Sequence, residues 1–128
     1  MYDEILKRFR LGREHSAPDY VAAWAALDSA RAAYNRATAG FDAVLLPSAP
    51  ILPPNLERLN TDHDYYVTEN LLSLRNTRIG NLMGLCSLSL PTNTPSCGFM
   101  LMGPPNGEAS LLRVGAAVEQ ALAKSHKS

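Results

Sequence analysis

A β-hairpin is predicted by residues 85–104, which have the sequence LCSLSLPTNTPSCGFMLMGP. Apolar residues alternate with serines over residues 85–90, and a proline ends that run. Residues 97–102 form a second apolar run, which a Gly-Pro pair ends, and residues 93–96 between the runs have the composition of a turn. Two strands are therefore expected in this part of the chain.

A third strand is predicted over residues 41–46, FDAVLL, because this run is almost continuously apolar. Such runs are typical of parallel strands that are buried on both faces. Residues 47–54 include four prolines, which cannot donate ladder hydrogen bonds, so we expect irregular structure there. A sheet of three short strands has two edges, and exposed edges favour pairing with another chain or with segments outside this sequence.

Two helices are predicted before this strand. Residues 3–11 form a short amphipathic helix. Ser16, Pro18 and Asp19 match the start of a longer helix, as a hydroxyl N-cap, a first-turn proline and an acid three residues after the cap, and Gly40 is the predicted C-terminal glycine. We interpret its stripe of larger side chains as a packing face, which consists of Tyr20, Trp24, Leu27, Arg31 and Tyr34.

The chain between the strands is polar at first and then helical. Asp62, His63 and Asp64 are adjacent in the polar segment, residues 55–64, where a solvated loop or a helix cap is favoured over a metal site because three consecutive side chains rarely converge on one ion. Residues 65–84 are predicted to be one helix or two pieces. A final helix over residues 105–124 has an apolar side of Leu111, Val114, Val118 and Leu122.

Together these elements predict an α/β fold in which helices flank a small mixed sheet, and the 128 residues form a single partial domain. Its expected segments are a helical part (1–40), a strand and proline-rich turn (41–54), a polar loop and helix (55–84), a strand hairpin (85–104) and a C-terminal helix (105–124).

The composition excludes several classes of protein. With 12 Lys and Arg residues against 12 Asp and Glu residues, the chain has no net charge to attract a nucleic acid backbone. No apolar stretch reaches the ~20 residues that span a bilayer, and no signal peptide is recognised, so we expect a cytoplasmic protein without a membrane partner. Cys86 and Cys97 lack CxxC spacing, which favours two buried free thiols over a disulfide or a metal site.

Taken without analogy, the residues indicate no active centre. The sequence contains no GxSxG elbow, no GxGxxG fingerprint and no Walker-type GK[ST]. His15, His63 and His126 have no obvious serine or cysteine partner nearby in the sequence. No catalytic residue, metal site or cofactor is therefore predicted.

Five segments nevertheless resemble, in order, the amidase signature family. Leu11-Gly12-Arg13 and the helix after it are similar to the family's region upstream of a DALLLPTxP strand, which residues 42–50, DAVLLPSAP, resemble. Residues 77–91, TRIGNLMGLCSLSLP, resemble TxxxNxxGLPAxSLP, residues 97–104, CGFMLMGP, resemble VGLQLVGP, and residues 108–112, EASLL, resemble ExxLL. The resemblance covers roughly residues 1–123.

The resemblance implies a hydrolase of carboxamides and related C–N bonds that uses a serine nucleophile, a second serine in a cis peptide and a lysine base. In the family these residues lie in the N-terminal half, on a lysine strand and a GGSSGG-type segment, and no part of residues 1–128 matches them. The chain resembles only the C-terminal quarter, which completes a central mixed sheet and walls the substrate pocket. We therefore expect it to be inactive alone and to meet a small amide substrate only where the catalytic half is present.

The resemblance also identifies candidate substrate-binding residues, namely Leu74, Arg78 and Asn81. Asn81 matches the asparagine of the motif, and Leu74 lies seven residues earlier, at a position that is acidic in those amidotransferases of the family that act on amino-acid side chains. A leucine there favours an apolar or small uncharged acyl group, whereas Arg78 is suited to meet a substrate carboxylate. Core packing for Leu74 and a surface salt bridge for Arg78 are the structural alternatives.

Two departures from the family and two other hypotheses stay open. Cys86 replaces the usual proline, and the turn between Pro91 and Cys97 is shorter than the family's connection. Besides an amidase segment, the chain is compatible with a non-catalytic binding or dimerisation module that uses the sheet edge and the stripe from Tyr20 to Tyr34. It is also compatible with a chain that a separate catalytic chain completes.

Overall fold

We describe the protein from a computed structural model, which covers residues 3–125. The helices are α1 (Asp3–Leu11), α2 (Ala17–Thr38), α3 (Leu56–Thr61), α4 (His63–Ser73), α5 (Arg75–Met83) and α6 (Glu108–Ser125), and a 3₁₀ turn, Gly12–Glu14, follows α1. The strands are β1 (Val44–Pro47), β2 (Cys86–Pro91) and β3 (Gly98–Gly103). The α/β class, the hairpin, a third strand and the last helix are thereby confirmed.

The sheet is antiparallel throughout the described residues, so the predicted mixed sheet is wrong for this part of the fold. β3 lies between β1 and β2, and Leu101 of β3 pairs with Leu88 of β2 and Leu45 of β1. β1 begins at Val44 rather than Phe41, and Leu45 is 62% exposed. The apolar run predicted burial on both faces, but within residues 3–125 β1 is an edge strand. The prediction failed because a run of apolar residues does not reveal whether the same chain provides its neighbours.

The predicted start of α2 is confirmed by its capping box. The Asp19 N–H donates to the Ser16 hydroxyl, and the Ser16 N–H donates to the Asp19 carboxylate, both at 3.3 Å. Hydrogen bonds from the Ser16 side chain and backbone lower the pKa of Asp19. Gly40 follows the C-cap of α2, as predicted, but it does not adopt the left-handed conformation, which among the described glycines is found at Gly84, where α5 ends at φ 71°.

The expected packing face of α2 is largely uncovered. No residue of α2 is buried, and Tyr20 and Trp24 are 63% and 44% exposed. Contact with α5 is made through Arg31, whose Nε donates to the Leu82 carbonyl at 2.8 Å and whose guanidinium lies 5.4 Å from the Trp24 ring centroid. The interpretation as a packing face is confirmed in part: the stripe is half-buried toward Tyr34, where α2 meets α5, whereas the described residues leave it exposed at Tyr20 and Trp24.

The segment predicted to be a polar loop contains a helix. Asn55 caps α3, since its side-chain oxygen accepts the Arg58 N–H at 2.9 Å. The helical region after it is divided at Leu74 into α4 and α5, which confirms the second of the two forms expected. Short capped helices are easily missed in sequence because polar residues at caps resemble loop residues.

The core lies between α6 and one face of the sheet. Its buried residues are Leu90, Leu101 and Leu111, with Val114 and Val118 packed against them, as the predicted α6 stripe requires. Gly115 is buried at the closest approach of α6 to β2, where an added Cβ atom would collide with Leu88. The absence of a side chain at Gly115 therefore sets the distance between helix and sheet.

Helix α5 packs against the opposite face of the sheet. Gly80 is buried there, and a Cβ atom added to it would lie 3.1 Å from Ser87 Oγ. Asn76, which is 7% exposed, donates from Nδ2 to the Pro47 carbonyl at 2.7 Å. This hydrogen bond ties α5 to the end of β1 and so holds the helix in place over the sheet.

We expect Asn76→Ala to lower the free energy of unfolding by about 1–2 kcal/mol relative to Asn81→Ala, because only Asn76 makes a buried hydrogen bond. Both substitutions give α5 the same gain in helix propensity, so the comparison isolates the hydrogen bond. Urea unfolding of the two variants measures the difference. Equal stabilities would show that the Asn76 hydrogen bond contributes nothing.

Candidate functional site

The three candidate substrate-binding residues share one face of α5. At 100° per residue, Leu74, Arg78 and Asn81 fall within about 60° of one another around the helix axis. Asn76 and Gly80, which pack toward the sheet, lie on the opposite side. The fold therefore brings the three candidates together on a surface that points away from the sheet.

The structural alternatives for these residues, core packing of Leu74 and a surface salt bridge of Arg78, are not found. Leu74 is 48% exposed, so its assignment to the core is wrong. Among residues 3–125 no ion pair involves Arg78, whose side chain is exposed. The outer face of α5, defined by Leu74, Arg78 and Asn81, is thus an uncovered surface that combines an apolar side chain, a cation and an amide.

Both ends of α5 are fixed by the backbone. Leu74 is the junction with α4, and the Arg78 N–H donates to its carbonyl at 3.0 Å. At the other end Gly84 adopts the left-handed conformation, and the Leu85 N–H donates to the Gly80 carbonyl at 2.9 Å before the chain enters β2. The outer face is consequently carried by a helix whose position relative to the sheet is well determined.

Two open cavities lie elsewhere in the described chain. One, of about 260 Å³, lies between the end of α2, the start of β1 and the end of β3. The other, of about 270 Å³, lies between residues 47–52 and residues 96–98. Leu74, Arg78 and Asn81 line neither of these two cavities.

The Asp-His-Asp sequence forms the start of α4, with Asp62 as its cap, and a helix cap was one of the two forms favoured for it. Asp62 is the N-cap of α4, where its carboxylate accepts the Tyr65 N–H at 2.9 Å and the Arg58 guanidinium at 3.1 Å. The hydrogen bond from the Tyr65 backbone, followed by that from Arg58, lowers the pKa of Asp62. Across residues 3–125, no three His, Cys, Asp or Glu side chains are grouped to hold a metal ion.

Asp62→Asn is expected to lose stability relative to the unchanged chain at neutral pH and to match it more closely in acid. Because the folded-state pKa of Asp62 lies below the ordinary 3.8, its ionised form stabilises the fold above that value, and the stabilisation is lost as pH falls through the folded-state pKa. Urea unfolding of both proteins at neutral pH and below pH 3.8 tests this. A constant difference at all pH values would contradict it.

The other titratable candidates do not converge on a centre. His15 and His63 are exposed and belong to different elements, and His126 lies outside the described residues. Cys86 and Cys97 are free and half-buried. In the part of the chain that the structure describes, no helix is both long and apolar enough to cross a membrane.

Sequence reasoning did not identify Asn76 as the residue that positions α5. A usable signal was present, since Asn76 and Gly80 are four residues apart and share one helical face. A glycine on an inward face indicates a close approach to another element, and a nearby amide can hydrogen-bond the backbone that it meets.

Three known proteins are similar to this chain over most of its length. The 2-amino-5-chloromuconic acid deaminase of Comamonas testosteroni is 32% identical over an alignment of 126 residues, which covers 95% of this chain and 27% of that protein. The fatty acid amide hydrolase of Oryza sativa subsp. indica is 31% identical over 118 residues, with coverages of 88% and 19%. One subunit of the glutamyl-tRNA(Gln) amidotransferase of Halobacterium salinarum is 30% identical over 132 residues, with coverages of 92% and 29%.

The chain spans between about a fifth and under a third of the length of these relatives. No family model matches it, and no solved structure matches it significantly. The similarity is therefore one of sequence, and it relates this chain to one part of much longer proteins.

Proposed function

We propose that this chain is the C-terminal segment of an amidase, a hydrolase of carboxamides or related C–N bonds. Over most of its length it is related to one part of the amidase signature proteins. The observation that carries the proposal is the contrast in coverage: 95% of this chain matches only 27% of the deaminase. The serines and lysine that the resemblance implies belong to the remainder of such an enzyme, so the segment alone is inactive.

The uncovered surfaces of the fold support the same proposal. β1 pairs only with β3 among the described strands, and its Leu45 side chain is 62% exposed although the paired Leu101 is buried. The Tyr20 and Trp24 side chains of α2 are similarly uncovered. Apolar residues in these positions are what a segment would carry if it completed a larger sheet and core.

The outer face of α5 is the part of the segment that we propose to wall the substrate pocket. Leu74 provides an apolar contact, Asn81 an amide, and Arg78 a cation that can pair with a carboxylate. The similar protein from Comamonas is named for an acid, 2-amino-5-chloromuconic acid, as its substrate. A substrate that carries a carboxylate near the scissile bond is therefore the class that this face fits best.

A chimera tests the proposal. The part of the Comamonas deaminase that matches this chain is replaced by the 128-residue chain, and deamination of 2-amino-5-chloromuconic acid is assayed beside the deaminase lacking that part and beside the 128-residue chain alone. We expect activity only in the chimera. Hydrolysis by the purified chain alone, or a soluble, cooperatively folding chimera as inactive as the shortened deaminase, would overturn the proposal.

In an active chimera, Arg78→Ala is expected to raise KM about tenfold or more with little change in kcat, because a charge-assisted hydrogen bond to a bound carboxylate contributes roughly 1.5–3 kcal/mol. Arg113→Ala is the matched control, since Arg113 is an exposed arginine on α6. Steady-state kinetics distinguish the two variants. Equal KM values for the two variants would show that Arg78 does not contact the substrate. The proposal that the chain is an amidase segment would be unaffected.

The uncovered edge of β1 and stripe of α2 also support a second candidate function, a non-catalytic binding or dimerisation module derived from an amidase. A module of this kind would bury those surfaces against a second copy, for which strand exchange is a low-cost route. Sedimentation equilibrium of the 128-residue chain over a range of concentrations tests it. A stable monomer at all concentrations would count against self-association.

A further inference from the structure

The cavity of about 260 Å³ at the end of the sheet has the lining of a small-molecule site. Its lining includes Val44 at the start of β1, Met102 near the end of β3, the aromatic residues Tyr34 and Phe41, and Pro104. Cavities that combine apolar walls with a few polar groups are the usual form of ligand sites, although this one is smaller than most of them.

The charge of the cavity has one sign. Asp42 is the only acidic residue among those that line it, and Lys, Arg and His are absent from that lining. The cavity also lies at the C-terminal end of α2, a helix of 22 residues whose aligned peptide dipoles place partial negative charge there. Burial raises the pKa of Tyr34, so its hydroxyl remains neutral and adds no negative charge of its own.

Polar groups of the lining are placed to orient a donor. The Thr38 hydroxyl donates to the Tyr34 carbonyl at 2.9 Å, which leaves the lone pairs of the Thr38 oxygen as acceptors. The Asp42 carboxylate accepts only, and the Asn35 amide offers both an acceptor and donors. A ligand with several N–H donors on one atom matches this set better than a hydroxyl or a carboxylate does.

We propose that this cavity binds a small primary ammonium ion that carries a flat apolar body. The ammonium group lies toward Asp42 and the end of α2, and the body lies between the Tyr34 and Phe41 rings and Pro104. The rings additionally attract the cation through their π faces. The site is separate from the outer face of α5 and does not depend on the chain being part of an amidase, because every residue that forms it is provided by this chain.

The test uses the ¹⁵N-labelled 128-residue chain and three probes of the same shape, benzylammonium, benzyl alcohol and benzoate. Amide shifts at Val44 and Gly103, which line the cavity, report binding, and Gly115 on α6 serves as a remote reference. We expect benzylammonium to saturate these shifts with a Kd about three- to tenfold below that of benzyl alcohol, the factor that one partly exposed carboxylate and a helix end provide. Benzoate should bind weakest.

Three substitutions test whether the probes bind in this cavity and whether Asp42 selects the amine. Asp42→Asn should raise the Kd of benzylammonium toward that of benzyl alcohol, because only the end of α2 then favours the cation, while Asp64→Asn, which removes an exposed carboxylate on α4, should leave it unchanged. Ala39→Trp, which places an indole at the lining, should abolish the shifts for both probes in a chain whose circular dichroism is unaltered. Equal affinity for amine and alcohol, an unchanged Kd in Asp42→Asn, or no saturable shift at Val44 and Gly103 would each overturn the proposal.

Discussion

Gly115→Leu is expected to cost about 3 kcal/mol or more of the free energy of unfolding, a large share of the roughly 5–15 kcal/mol that stabilises a small domain. Gly115 is buried where α6 crosses β2, and the first carbon added there would collide with the Leu88 side chain. A leucine adds three further carbons to that contact. Either α6 must move away from the buried Leu90 and Leu101, or Leu88 must leave its position, and both changes remove core contacts.

The matched control is Ala116→Leu, one residue further along α6, where the side chain is exposed. It adds the same kind of side chain to the same helix without entering the core, so we expect a change within about 0.5 kcal/mol. Gly115→Ala should be intermediate, because the end of the flexible Leu88 side chain can rotate away from a single methyl group. Thermal and urea unfolding of the three variants give the order directly. A Gly115→Leu protein as stable as Ala116→Leu would show that α6 does not pack as described.

Local sequence signals predicted the elements of this fold well. The capping box at Ser16 and Asp19 fixes where α2 begins, and the alternation before Pro91 indicates β2 without any knowledge of the rest of the molecule. These features depend on residues close together in the chain, so a single sequence contains the information they need. The short helix α3 was missed because its capping residue Asn55 resembles the residues of a loop.

The segments that pack against these elements could not be predicted in the same way. The apolar character of residues 41–46 and of the stripe that includes Trp24 correctly indicated surfaces that require cover, but not whether this chain provides it. The same limit applies to the outer face of α5: the resemblance selected Leu74 and Arg78, and the fold places them on one exposed surface, but a pocket needs an opposite wall. Where a surface is covered by segments that are not part of the sequence, the sequence and fold show only an excess of exposed apolar residues.

Leu101→Ala and Leu45→Ala form the second comparison for which we expect a large effect. The two leucines are directly paired across β1 and β3, yet Leu101 is 3% exposed and Leu45 is 62% exposed. In the 128-residue chain, Leu101→Ala should cost about 2–5 kcal/mol of the free energy of unfolding, as buried leucines do when truncated. Leu45→Ala should cost less than about 0.5 kcal/mol, because its side chain has few contacts to lose.

The same pair of substitutions in the chimera with the Comamonas deaminase shows whether the sheet is completed there. If the remainder of the amidase covers β1, Leu45 becomes a core residue, and Leu45→Ala should then cost about 2 kcal/mol or more, approaching the effect of Leu101→Ala. Urea unfolding of the four proteins, followed by circular dichroism, provides the comparison. Leu101→Ala serves as the internal standard because Leu101 is buried within this chain already. A Leu45→Ala cost as small in the folded chimera as in the chain alone would mean that the exposed face of β1 is not where the rest of an amidase packs.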